Sequence, residues 1–170
     1  MVEPHAWLNA LDADAAAVAL RRVCGAEGWV QRLLGRRPFA STAELLASAE
    51  AEWNLATREE CLEAFSHHPR IGEDLSALRE RFPSTASLSL GEQAGVAEAD
   101  EQTLLRLRAA NVEYRERFGY IFIICASGKT ARQMLAALEQ RLGSDPATEL
   151  LVAAREQGKI LRLRLERLGA

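Results

Sequence analysis

"YIFIICAS", residues 120–127, is the one stretch of this chain that reads as a β-strand, so its reading decides the fold class. Its first seven residues are all apolar and include three isoleucines, which suits a buried strand. A lone strand has no neighbour to take its main-chain N–H and C=O groups. The segment is therefore expected to be buried irregular or helical structure between two helices, and the chain to be all-α.

On either side, helix signals run from end to end. Asp12 precedes an alanine-rich run that stops near Gly25. Ser41 with Glu44, and Thr57 with Glu60, form capping boxes ahead of periodic apolar residues, giving three early helices. Pro69 disfavours helical geometry at the residue before it, so the third should end at His68. "EDLSALRERF" predicts a short helix stopped by Pro83, and "PSTASLS" a polar loop. Leu90–Phe118 predicts one long helix closed by Gly119, "KTARQMLAALEQRL" another closed by Gly143. Asp145 then caps a last helix with Pro146 at its first position, running to about Leu168. The expectation is a single-domain bundle of about seven to nine helices over residues 1–170, with no repeats.

The 170 residues can bury about two-thirds of their unfolded surface in one core. Lys plus Arg is 21 against Asp plus Glu 24, a net charge of −3 without a long run of one sign, which argues against nucleic acid or an anionic membrane as partner. The longest apolar run is far too short for a membrane span. Cys24, Cys61 and Cys125 are odd in number and scattered among apolar neighbours, as expected for reduced, buried thiols of a cytoplasmic protein. The N-terminal stretch lacks the apolar core of a signal peptide, and "RLERLGA" is not a peroxisomal address.

Three places could carry chemistry. In "FSHHPRIGE", residues 65–73, helical phase sets Cys61, Phe65 and His68 on one face, so His68 points inward and His67 outward. His68 is then either a satisfied helix-end histidine or a working one, and the direction of its pKa shift is open because a helix terminus and burial oppose each other. In "SLGEQ", Ser89 and Glu92 make a capping box, which alone would explain both. A helix start after a polar loop also offers free N–H groups at Leu90, Gly91 and Glu92 to a carbonyl-rich ligand. Gln93 has no capping duty, and its amide suits ureido or imide edges. Arg164 shares a side of the last helix with Ile160, Leu161 and Leu168, and so either snorkels outward or binds an anionic or carbonyl partner. Metal binding is not expected, because His67 and His68 cannot converge on one ion and the only other histidine is His5. No nucleophile elbow or phosphate loop is present.

Taken together, "HHPRIGE", "SLSLGEQAG", "NVEYRERFGYIFIICASGKT" and "KILRLRLERL" resemble, in order and over nearly the whole chain, the 2-oxo-4-hydroxy-4-carboxy-5-ureidoimidazoline (OHCU) decarboxylase family of purine breakdown. The resemblance implies an all-helical, cofactor-free carboxy-lyase, usually a homodimer, that forms (S)-allantoin and CO₂ from a small ureidoimidazoline. It places the catalytic histidine on His68, the catalytic glutamate on Glu92 and the arginine on Arg164. Substrate contacts fall on Pro69, Ser89, Leu90, Gly91 and Gln93, and on the main chain of Phe122, Ile123, Ile124, Cys125 and Ala126. His67 has no counterpart in the pattern. A non-catalytic ureide-binding module and a ureide hydrolase remain as competing readings of the same residues.

Overall fold

A computed structural model describes residues 2–82 and 90–169, with the main chain alone for residue 71 and residues 90–99. Among the described residues there are nine α-helices, one 3₁₀ turn and no strand. The helices are α1 (Pro4–Ala10), α2 (Ala13–Val23), α3 (Glu27–Leu34), α4 (Thr42–Asn54), α5 (Arg58–Ser66), α6 (Leu75–Arg81), α7 (Leu90–Phe118), α8 (Ala131–Leu142) and α9 (Pro146–Leu165), and the 3₁₀ turn is Ile71–Glu73. The all-α expectation holds. The chain divides into two compact units, Met1–His68 with Ala154–Ala170, and Pro69–Ala153.

In the first unit five helices precede His68, where three were expected. The extra two, α1 and α3, start at Glu3 and Ala26, neither of which makes a side-chain cap. Tertiary packing supplies what the caps do not. Leu8 of α1 and Trp29, Val30 and Leu33 of α3 are fully buried, each worth roughly 1.5–3 kcal/mol when removed from water. Trp29 also donates its indole N–H to Ala49 O at 3.0 Å, joining α3 to α4. Gly28 lets α3 come close to α5, since a Cβ there would lie 1.8 Å from Glu60 Oε1. The Thr57–Glu60 capping box is complete. Ser41 makes only half of one: its hydroxyl accepts from Glu44 N, while the Glu44 carboxylate accepts from Ala40 N instead.

Helix α9 carries the buried ridge Gln157, Leu161 and Leu165, spaced four residues apart. It lies against α4, where Trp53 donates to Ala154 O at 2.8 Å and a Cβ at Gly158 would meet Trp53 Cδ1 at 3.2 Å. Asp145 caps α9 by accepting from Ala147 N and Thr148 N, as expected, and the helix ends at Leu165, three residues before the expected end.

The second unit answers the question of residues 120–127. Helix α7 ends at Gly119, whose φ of +82° is the left-handed cap that glycine supplies without a Cβ penalty. Residues 121–126 are irregular. A side chain takes one of their buried carbonyls: Arg141 of α8 donates from Nη1 to Ile123 O at 2.8 Å. Its guanidinium also lies over the Phe122 ring, 4.5 Å from the centroid. Tyr120 and Phe122 stack edge-on against Tyr114 of α7, at 5.9 and 5.2 Å.

The turn at residues 70–73 also gains a physical account here. A Cβ at Gly72 would fall 2.5 Å from Cγ of Asn111, a buried residue of α7, so only glycine fits that approach. Glu73 then accepts from Arg115 Nε at 2.7 Å, and its carbonyl from Arg108 Nε at 3.1 Å.

Candidate active site

Helix α5 stops at Ser66, two residues before the expected end, with His67 as its C-cap. Pro69 restricts only the residue before it. The earlier stop comes from tightening of the last turn, in which His67 N bonds Ala64 O at 3.3 Å and His68 N bonds Phe65 O at 3.2 Å. His68 still turns inward and is half-buried, and His67 is exposed. The His67 ring lies against the main chain at Gly25, where a Cβ would be 2.3 Å from its Cγ. His67 thus closes the α2–α3 junction of the first unit while His68 faces the other way.

The His68 Nε2 is 2.6 Å from Oε1 of Gln157 on α9. Desolvation pushes the imidazole below its ordinary pKa, and the positive charge of Arg164 pushes the same way, while the Gln157 bond opposes them. The open question of direction closes in favour of a neutral imidazole at physiological pH.

Arg164 is half-buried on the flank of the α9 ridge, and Arg162 is exposed. The Arg164 Nη1 donates at 2.8 Å to Val23 O, the last residue of α2, where carbonyls lack intrahelical partners and a cation is favoured. Arg164 was expected either to snorkel outward or to bind an anionic or carbonyl partner, and in this structure the chain itself supplies a carbonyl.

Cys24, next along from Val23, is fully buried, and burial pushes its thiol up to about 11, against weaker downward pulls from the Ala26 main chain, Gln157 and Arg164. It is a protonated thiol, not a nucleophile. Cys61 is buried as expected, whereas Cys125 is half-buried.

The remaining expected residues belong to the second unit or lie outside the described residues. Pro69 follows directly after His68 and is exposed. Ser89 lies outside the described residues. Leu90, Gly91, Glu92 and Gln93 form the first turn of α7, and their side chains also lie outside what is described. Phe122, Ile124, Cys125 and Ala126 are half-buried and Ile123 buried, all within the irregular segment. Among the described residues no group of three or more His, Cys, Asp and Glu side chains is placed to hold a metal ion, and no helix is long and apolar enough to cross a membrane.

Residue-level reading missed two sets of side chains. The first is Gln157, fully buried on a ridge where an aliphatic residue is the default. Its Nε2 has no hydrogen-bond partner among the described residues, a situation that costs about 1–3 kcal/mol. Its phase with Leu161 and Leu165 was the available signal. The second set is Arg141, Glu149 and Tyr114. Glu149 is fully buried and uses one oxygen, Oε1, to accept from Arg141 Nε at 2.8 Å and from the Tyr114 hydroxyl, and it pairs with Arg141 Nη2 at 2.5 Å. Burial and the bond to Glu149 push the Tyr114 phenol far up, so it donates and does not ionise. Through Arg141 this cluster holds the main chain of the 120–126 segment.

The chain is thus a helical protein with a desolvated, neutral imidazole at a helix end, within the field of a tethered guanidinium and able to take up a proton. A model of the OHCU decarboxylase family matches residues 9–166. The plant "Uric acid degradation bifunctional protein TTL" of Arabidopsis thaliana is 37% identical over 85% of this chain. The 2-oxo-4-hydroxy-4-carboxy-5-ureidoimidazoline decarboxylase of Haloferax volcanii is 30% identical over 93% of this chain and 91% of its own length. The chain spans 44% of the length of the plant relative and 31% of a bifunctional Bacillus subtilis relative. A crystal structure of an OHCU decarboxylase in the presence of (S)-allantoin is similar with a TM-score of 0.69, 31% identity, and coverage of 93% of this chain and 98% of that one. The chain belongs to the OHCU decarboxylase family.

Proposed function

We propose that this chain decarboxylates 2-oxo-4-hydroxy-4-carboxy-5-ureidoimidazoline to (S)-allantoin and CO₂ in urate breakdown, acting as one domain and without a cofactor. Family membership and the likeness to a decarboxylase crystallised with (S)-allantoin support the substrate class. The observation that carries the chemistry is the half-buried His68, kept neutral by desolvation and by the nearby charge of Arg164.

The substrate carboxylate sits on a carbon next to a C=N carbon. When the carbon–carboxylate bond breaks, its electron pair has an imine to flow into, and this internal sink takes the place of a cofactor's. The enol-like intermediate must then gain a proton on one face of the carbon that bears the ureido group. A neutral imidazole can accept the proton of the substrate hydroxyl, and the resulting imidazolium can return one to that carbon. In this reading His68 moves the protons, and Glu92 orients the imidazole or the hydroxyl. Gln93, Ser89, Pro69, the first turn of α7 at Leu90 and Gly91, and the main chain at Phe122, Ile123, Ile124, Cys125 and Ala126 bind the ureido and ring amides. Arg164 stabilises charge that has moved onto the ring, since clamping the carboxylate would hold back its loss. Buried, unpaired Cys24 and Cys61 suit a reducing, cytoplasmic setting, and the family resemblance supports a homodimer.

A positioned proton-transfer group contributes about 10²–10⁴-fold. His68→Asn is expected to lower turnover by at least about 10²-fold with the helical circular dichroism unchanged, whereas His67→Ala changes turnover little. A dead His67 variant beside an active His68 variant would overturn the assignment.

A further inference from the structure

We propose that Gln157 is the positioning residue for His68: its side-chain carbonyl fixes the imidazole as the Nε2–H tautomer and leaves the Nδ1 lone pair as the proton-accepting atom. The inference rests on the reading of His68 as the proton carrier and deepens it by naming which nitrogen works and what sets it.

A carbonyl oxygen only accepts, so the 2.6 Å contact between Gln157 Oε1 and His68 Nε2 requires the hydrogen on Nε2.

Position 157 also has no structural need for an amide. It lies on the same ridge as Leu161 and Leu165, is fully buried, and carries an NH₂ without a hydrogen-bond partner among the described residues. A leucine or methionine would fill that volume without a polar group to satisfy. An amide left half-satisfied in a packed ridge is a cost that the bond to His68 accounts for.

The choice of amide over carboxylate matters as well. In a Ser–His–Asp triad the orienting group is an anion, which holds the tautomer and also favours the imidazolium. A neutral carbonyl holds the tautomer without supplying that charge. His68 is then oriented and still deprotonated at neutral pH, as a group that must first accept a proton has to be. Arg164, tied through Nη1 to Val23 O, acts on the imidazole through space and leaves the tautomer to Gln157.

The test combines histidine ¹⁵N NMR with steady-state kinetics on the full chain. The His68 signals are assigned by their loss in His68→Asn, which leaves those of His5 and His67. In the unsubstituted protein at pH 7.5, Nε2 is expected in the protonated range and Nδ1 in the imine range. Gln157→Met keeps the side-chain length and removes both polar atoms. It should give mixed tautomers and a kcat lowered about tenfold or more, with KM changed by less than about threefold, the pattern of an interaction that matters in the transition state. Gln157→Glu restores an acceptor, so it should return the Nε2–H form and recover part of kcat at pH 8 and above. The proposal is overturned by an Nδ1–H tautomer in the unsubstituted protein, or by a Gln157→Met protein that keeps both its tautomer and its kcat. Should Gln157→Met fail to fold, the tautomer of the unsubstituted protein decides alone. Failure of the decarboxylase reading looks different: no acceleration of CO₂ release by the unsubstituted protein, whatever the tautomer.

Discussion

Two of the polar clusters set into the helical packing, one in each unit, treat a buried ionisable group in opposite ways. In the second unit Arg141 is buried with Glu149 and Tyr114, and the cation meets a full anion, a phenol hydroxyl, a main-chain carbonyl and two aromatic faces. In the first unit His68 meets a neutral amide on one nitrogen and the positive charge of Arg164 nearby. The first arrangement compensates its charge and fixes it, and the Arg141 bond to Ile123 O turns that rigidity into a fixed course for residues 120–126. Among the described residues no carboxylate acts on the second, and desolvation keeps that imidazole neutral and able to take up a proton. A buried charge with its counter-ion is scaffold, while a buried base denied one is available for chemistry.

The largest expected effect comes from breaking the compensated cluster. Arg141→Met leaves Glu149 buried and unpaired and should destabilise the protein by about 3–5 kcal/mol, read from chemical denaturation. A loss below about 1 kcal/mol would mean that the pair does not organise the second unit.

Next comes Gly72→Ala, which forces a methyl against the Asn111 amide. It should cost about 1–3 kcal/mol, as overpacking does, and unchanged stability would show that the 3₁₀ turn can move away from α7.

A subtler effect, which sharpens the other half of the comparison, is the response to pH. The folded-state pKa of His68 lies below the ordinary 6.5, so between the two values the unfolded chain binds a proton that the folded chain does not. Stability from the neutral imidazole is complete above about pH 6.5 and is lost as pH falls through the lowered value. In kcat/KM the acid limb should have its midpoint below 6.5, and the stability slope attached to His68 should vanish in His68→Asn. A midpoint above 6.5 would mean that an anion raises the imidazole, as Glu92 would if it orients the ring and not the hydroxyl.

The same contrast explains what was legible in the sequence. Thr57, Asp12 and Asp145 announce their helices because caps are local chemistry, and each accepts the main-chain N–H its position predicts. Helices α1 and α3 have no such caps and are held by Leu8, Trp29 and Leu33, whose burial is a tertiary fact. The inward turn of His68 followed from helical phase, but its partner Gln157 reads as an ordinary polar residue until its register with Leu161 and Leu165 is checked. Arg141 and Glu149 stand eight residues apart across the α8–α9 turn, a separation no helical periodicity links. Residues 120–127 could be denied a strand from composition alone. That an arginine would satisfy the Ile123 carbonyl could not be read there.

The central claim is that this chain decarboxylates the ureidoimidazoline stereoselectively. The substrate also loses CO₂ unaided, giving racemic product, so circular dichroism of the allantoin formed with and without the protein tests the claim most directly. The account predicts faster formation of a single enantiomer, (S)-allantoin, in the presence of the protein. Racemic allantoin appearing at the uncatalysed rate would contradict it.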